Sequence, residues 1–78
     1  MDVKVLGPGC RNCITLEERT RAALAELGVD ADIEKVTDPV RIVGLGVLST
    51  PGLVVDGAVV STGRVPTVRE LLRVLGGG

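Results

Sequence analysis

Val3, Val5 and Leu6, interrupted by Lys4, are the first apolar run of the chain and predict a short, largely buried strand that Gly7-Pro8-Gly9 terminates as a turn. From Arg11 to Leu27 the period changes. Cys13, Leu16, Thr20, Ala23, Leu24 and Leu27 recur at three- and four-residue spacing and define the dry face of a helix, with Glu17, Glu18, Arg19, Arg21 and Glu26 on the wet one. Glu17 and Arg21 stand at i,i+4 in the favourable order, and Gly28 is placed to stop the helix. Val29 to Val36 alternates as a second strand, with Ala31, Ile33 and Lys35 on one face and Asp32, Glu34 and Val36 on the other.

Thr37-Asp38-Pro39 starts a second helix, with Asp38 as N-cap, Pro39 at the first helical position and Val40, Ile42 and Val43 supplying apolar contacts; Gly44 and Gly46 keep it short. Leu53-Val54-Val55 and Ala58-Val59-Val60-Ser61 flank Asp56-Gly57, the dipeptide of a tight hairpin. Thr67-x-x-Glu70 forms a capping box ahead of a last helix through Leu71, Leu72, Val74 and Leu75. The order is β-α-β-α-β-β-α. The first β-α-β unit implies a parallel pair with a right-handed crossover, and the hairpin adds two antiparallel strands, giving an α/β fold with a four-stranded mixed sheet flanked by helices. Residues 1–78 read as a single domain, with 76–78 as a frayed tail.

Composition narrows the function. The chain has no aromatic residue, so its core is built mainly from Val and Leu, and no ring is available to stack on a base. A net charge of −1 without a basic run argues against nucleic-acid binding. The apolar runs fall well short of the ~20 residues that a bilayer span requires. Met1-Asp2-Val3-Lys4 enters the first strand without the pattern of a signal peptide, which points to the cytoplasm. In that compartment a Cys-x-x-Cys pair is redox-active or metal-binding rather than a permanent staple.

Both cysteines lie in Gly7-Pro8-Gly9-Cys10-Arg11-Asn12-Cys13, at a strand-to-helix junction. Thiols at this spacing can close a small disulfide ring or hold one soft metal ion. A cysteine in the first turn of a helix feels unpaired backbone N–H groups, which favour its thiolate. Cys10 has that place and Cys13 lies one turn deeper, so Cys10 is expected to attack a partner disulfide and Cys13 to resolve the mixed disulfide. Arg11 either adds positive potential beside them or points into solvent. Thr50-Pro51 precedes the third strand; a cis bond beside Cys10 would leave the Thr50 backbone open to an extended peptide.

These features together resemble the thioredoxin superfold, and the whole chain is similar to the small thioredoxin-like, redox-active disulfide proteins of archaea and bacteria. Gly9-Cys10-x-x-Cys13, Thr50-Pro51, Val54-Val55-Asp56-Gly57 and Gly63-Arg64-Val65 carry the likeness. It implies a monomeric thiol-disulfide oxidoreductase that works through Cys10 and Cys13 without a further cofactor. It also implies a cis Pro51 facing the cysteines, and disulfide-bearing proteins and a disulfide reductase as partners. Thr50 and Pro51, with Gly9 and Arg11, form the expected substrate-binding side. The Trp-Cys-Gly-Pro-Cys run of true thioredoxins is absent, Lys4 stands where they carry a buried aspartate, and Gly63 is followed by Arg64 where glutaredoxins bind glutathione with a glycine pair. The alternative reading is a Cu(I) or Zn(II) carrier using the same thiolates. Carriers of that kind, the heavy-metal-associated domains, have β-α-β-β-α-β order, which would require a strand where Thr67 to Leu75 repeats as a helix.

Overall fold

In the computed structural model, which describes residues 1–76, strand β1 (Asp2–Leu6) runs through the middle of the molecule. Helix α1 (Arg11–Leu27) returns the chain to β2 (Asp32–Val36), which pairs with β1 in parallel. Helix α2 (Pro39–Gly44) follows, then β3 (Gly52–Val55), β4 (Ala58–Thr62) and α3 (Val68–Gly76). β3 pairs antiparallel with β1 and β4 antiparallel with β3, so the sheet order is β2-β1-β3-β4. The expected mixed sheet with flanking helices is the one observed.

Side-chain alternation along β1 divides the core in two. Val3 and Val5 face a larger cluster with Leu16, Ala23 and Leu24 of α1, Leu53 of β3, and Leu71 and Leu75 of α3. Leu6 faces a smaller cluster with Val36, Ile42, Val47 and Val54. The two faces expected for the second strand are therefore both used: Ala31 and Ile33 pack on the larger cluster and Val36 belongs to the smaller one.

Local chemistry accounts for most boundaries. Asp38 caps α2 by accepting from the Val40 N–H at 2.9 Å, and Pro39 follows at the helix start. Asp56 and Gly57 both have positive φ, 49° and 85°, as a tight hairpin turn requires. The β3–β4 pairing slips beyond it: Val54 lies opposite Val59 but Leu53 opposite Ser61, leaving Val60 as a bulge.

Three expectations are corrected. β2 starts at Asp32 rather than Val29, because the Val29 N–H is taken by the Leu24 carbonyl in the turn that closes α1 at Gly28. Of the apolar residues of α2 only Ile42 is buried; Val40 and Val43 are 79% and 58% exposed, since so short a helix turns one side chain to the sheet. Gly76 is still helical and lies against Leu27, whereas the fraying expected for 77–78 falls outside the described residues.

Candidate functional site

β1 ends against the loop Gly7-Pro8-Gly9, and α1 opens immediately after it. Gly9 has φ +86°, a conformation that side-chain-bearing residues rarely adopt, and it turns the chain so that Cys10 becomes the N-cap of α1. Cys13 is on the first turn, on the face that α1 buries, and is 6% exposed, whereas Cys10 is exposed. The two cysteines are free thiols rather than a disulfide, and their sulfurs are in hydrogen-bond contact at 3.0 Å.

The pair is electrostatically unequal. A hydrogen bond from the Cys13 thiol, aided by the backbone N–H groups of Cys13 and Asn12, holds Cys10 below the ordinary thiol value of 9.0. Burial, and then the hydrogen bond it donates to Cys10, push Cys13 above it. The first turn of α1 carries no acidic residue to oppose a Cys10 thiolate. Arg11 is exposed at the first helical position, beside Cys10 in the chain and open to solvent.

Gly7 is buried, and its bare Cα is what lets this arrangement close. A Cβ there would overlap Cys13 Sγ and would lie 3.7 Å from Thr50 Cβ. The loop before α1, the Cys13 thiol and the segment before β3 thus meet at one residue. The Thr50-Pro51 peptide is cis, Pro51 is buried, and its carbonyl accepts from the Gly63 N–H at 2.9 Å. Thr50 is exposed and, with Pro8, lines an apolar cleft that runs to Ile42, Val47 and Leu48.

Behind Cys13 lies a second hollow of about 180 Å³, bordered by Val5, Gly7, Ile14 and Thr37 and carrying Glu17 and Lys35 as its charged residues. The sequence pattern assigns Glu17 to solvent, but its side chain is only 14% exposed. It bonds Arg21 Nη2 at 2.9 Å and Lys35 Nζ at 3.2 Å, so Lys35 arrives from β2 to cover it. Its place at i+4 from Cys13 was visible as a spacing; what was missing was the strand alongside. Gly7 is likewise a residue the pattern treats as a turn-former only. Lys4 pairs with Asp2 at 2.5 Å and alternates away from Val5, hence away from this hollow. Arg64 meets Glu70 at 2.6 Å, serving the start of α3.

No helix among the described residues is long and apolar enough to cross a membrane. A family model described as a thioredoxin domain matches residues 1–76. The chain is 40% identical over 75 residues to a thioredoxin of Methanothermobacter thermautotrophicus, covering 96% of this chain and 97% of that protein. To a thioredoxin of Methanocaldococcus jannaschii it is 39% identical over 69 residues, covering 88% of this chain and 79% of that one. A likeness that runs from β1 through α3 takes in the dithiol, the proline before β3 and the sheet that joins them, and by it this chain belongs to the thioredoxin domain family.

Proposed function

We propose that the chain is a thiol-disulfide oxidoreductase in which Cys10 attacks and Cys13 resolves. The observation that carries this reading is the pair of sulfurs at 3.0 Å with opposite environments, one exposed with its thiolate favoured, the other buried with its thiol favoured. The Cys10 thiolate attacks one sulfur of a partner's disulfide and forms a mixed disulfide, releasing the partner's other sulfur as a thiolate. Cys13 then loses its proton and attacks Cys10 Sγ; the Cys10–partner bond breaks, the Cys10–Cys13 disulfide forms, and the partner leaves reduced by two electrons in all. The electrons reside in the cysteine pair itself, so the cycle requires no other cofactor.

Gly9, Arg11, Thr50 and Pro51 are the residues we assign to the substrate side. Gly9 and Arg11 flank Cys10 in the chain, and the approach of Thr50 and of Cys13 Sγ to the same residue, Gly7, supports placing Thr50 on this side. An extended segment bearing the partner's disulfide would lie across them with its main chain against Thr50. The partners are disulfide-bearing proteins and a reductase that restores the dithiol, and the working form is a cytoplasmic monomer. A Cu(I) or Zn(II) carrier is the weaker reading, because Val68–Gly76 is a helix where the carrier topology has a strand.

A Cys13→Ser variant incubated with a disulfide-bearing protein should accumulate a mixed disulfide through Cys10, seen by mass, and Cys10→Ser should not. Equal trapping by both variants would reject the roles, and trapping by neither would favour a binding module without redox activity.

A further inference from the structure

Cys13 has to become an anion before it can resolve the mixed disulfide, and it does so while buried. Backbone hydrogen bonds from Cys10 and Gly9 favour its anion, but burial and the hydrogen bond to Cys10 outweigh them and keep the thiol above its ordinary value. The hollow of about 180 Å³ behind it supplies the missing element. Its charged residues are Glu17, one helical turn from Cys13 on the same face, and Lys35, brought across from β2 by the pairing of Val5 with Lys35. Arg21 holds Oε2 of Glu17 from the solvent side at 2.9 Å, and Lys35 holds Oε1 at 3.2 Å. The two charges lining the hollow are opposite, and Arg21, outside it, takes up the charge of Glu17, so that the ammonium of Lys35 is not cancelled within the three-residue cluster.

We infer that Lys35 is the charge-compensating residue of the resolving step: positioned by Glu17 at the edge of the hollow, its ammonium stabilises the thiolate that Cys13 forms before attacking Cys10. This rests on the roles assigned to Cys10 and Cys13 above. Glu17 is a positioning residue rather than a base. Burial pushes its carboxyl up, but the hydrogen bonds from Arg21 and Lys35 outweigh that and hold it below the ordinary 4.5, so it is a poor acceptor for the proton of a thiol. The Cys13 proton passes to solvent, and the cluster acts through its charge. The groups that face Cys13 are Cys10 and Glu17 on α1, with Arg21 behind Glu17, and Lys35 on β2; β1 presents Val5 and Gly7, which do not titrate.

The disulfide of thionitrobenzoate reads both steps in one trace. Attack by Cys10 releases the first coloured thiolate, leaving the Cys10 mixed disulfide; attack by Cys13 releases the second and closes the ring, with two electrons passed to the reagent. Lys35→Met should leave the first phase unchanged. It should move the pH midpoint of the second phase upward by about half a pH unit, the scale expected for one unit charge across a partly solvated gap. The second-phase rate at neutral pH should fall about twofold, because greater nucleophilicity of the less acidic thiol offsets part of the lost thiolate. Lys35→Arg should restore both. An unmoved midpoint in Lys35→Met, or a Lys35→Arg midpoint as high as that of Lys35→Met, would overturn the inference. A trace of the unsubstituted chain without any second phase would instead overturn the resolving role of Cys13.

Discussion

At Gly7 a single missing carbon makes room for the Cys13 sulfur. The space a Cβ would occupy is filled by Cys13 Sγ, while Cys13 Cβ would stand at an ordinary 3.5 Å. The obstruction is thus to the sulfur and not to the backbone. Gly7→Ala is expected to cost about 1–3 kcal/mol, as overpacking of a tight site does. In a Cys13→Ala background most of that cost should disappear, giving a coupling of about 1 kcal/mol or more in a denaturation cycle. A cost of equal size in both backgrounds would mean that the strand end itself rejects a side chain. The same residue shows why the site was partly illegible: Gly7-Pro8-Gly9 signals a turn by its composition, but the close approach of a sulfur from one turn into α1 leaves no mark on the turn.

Among the elements, α3 depends most on its first turn. The Thr67 hydroxyl accepts from the Glu70 N–H at 3.1 Å, and the Thr67 N–H donates back to Glu70 Oε1 at 3.2 Å. Glu70 Oε2 takes Arg64 at 2.6 Å, which ties the connector to the same turn. Arg19 of α1 donates to the Pro66 carbonyl at 3.2 Å, holding that connector against the helix that bears the cysteines. Thr67→Ala should lower stability by about 1 kcal/mol in a denaturant titration, the usual value of an N-cap side chain. Disulfide-exchange rates should stay the same, since α3 meets α1 through Leu71 and Leu75 and not through this cap. An exchange rate that falls with the cap would show that α3 controls the site. This capping box was legible because both partners lie within one turn of sequence. The exposure of Val40 and Val43 in α2 was not, because an apolar side chain on a one-and-a-half-turn helix has no period long enough to define a face.

For the whole molecule the decisive fact is how little core it has. Without aromatic residues, the sheet is covered almost entirely by aliphatic side chains, with Cys13 and Thr20 as the other buried residues of α1, and Leu16 is the largest fully buried side chain that α1 brings to the cluster with β1 and β3. Leu16→Ala should cost about 3 kcal/mol, a large fraction of the roughly 5–15 kcal/mol by which small domains are stable. Leu48→Ala, at an 85% exposed position, should stay within about 0.5 kcal/mol. A shift of the denaturation midpoint of similar size in both variants would contradict the two-cluster core described here.

Element order, the α1 boundaries, the Asp38 and Thr67 caps, the Asp56-Gly57 hairpin and the placing of both thiols at a helix start were all readable along the chain. Each depends on residues within a turn or two of one another, where period, capping and turn chemistry act. Glu17 looked solvated until β2 set Lys35 against it, Val29 looked like strand until the end of α1 took its N–H, and Thr50 acquired a neighbour at Gly7 only when β3 paired with β1. Those outcomes depend on which surfaces the sheet order brings together. Burial, charge pairing and close approach are properties of space between distant segments, and a one-dimensional pattern holds no record of that distance.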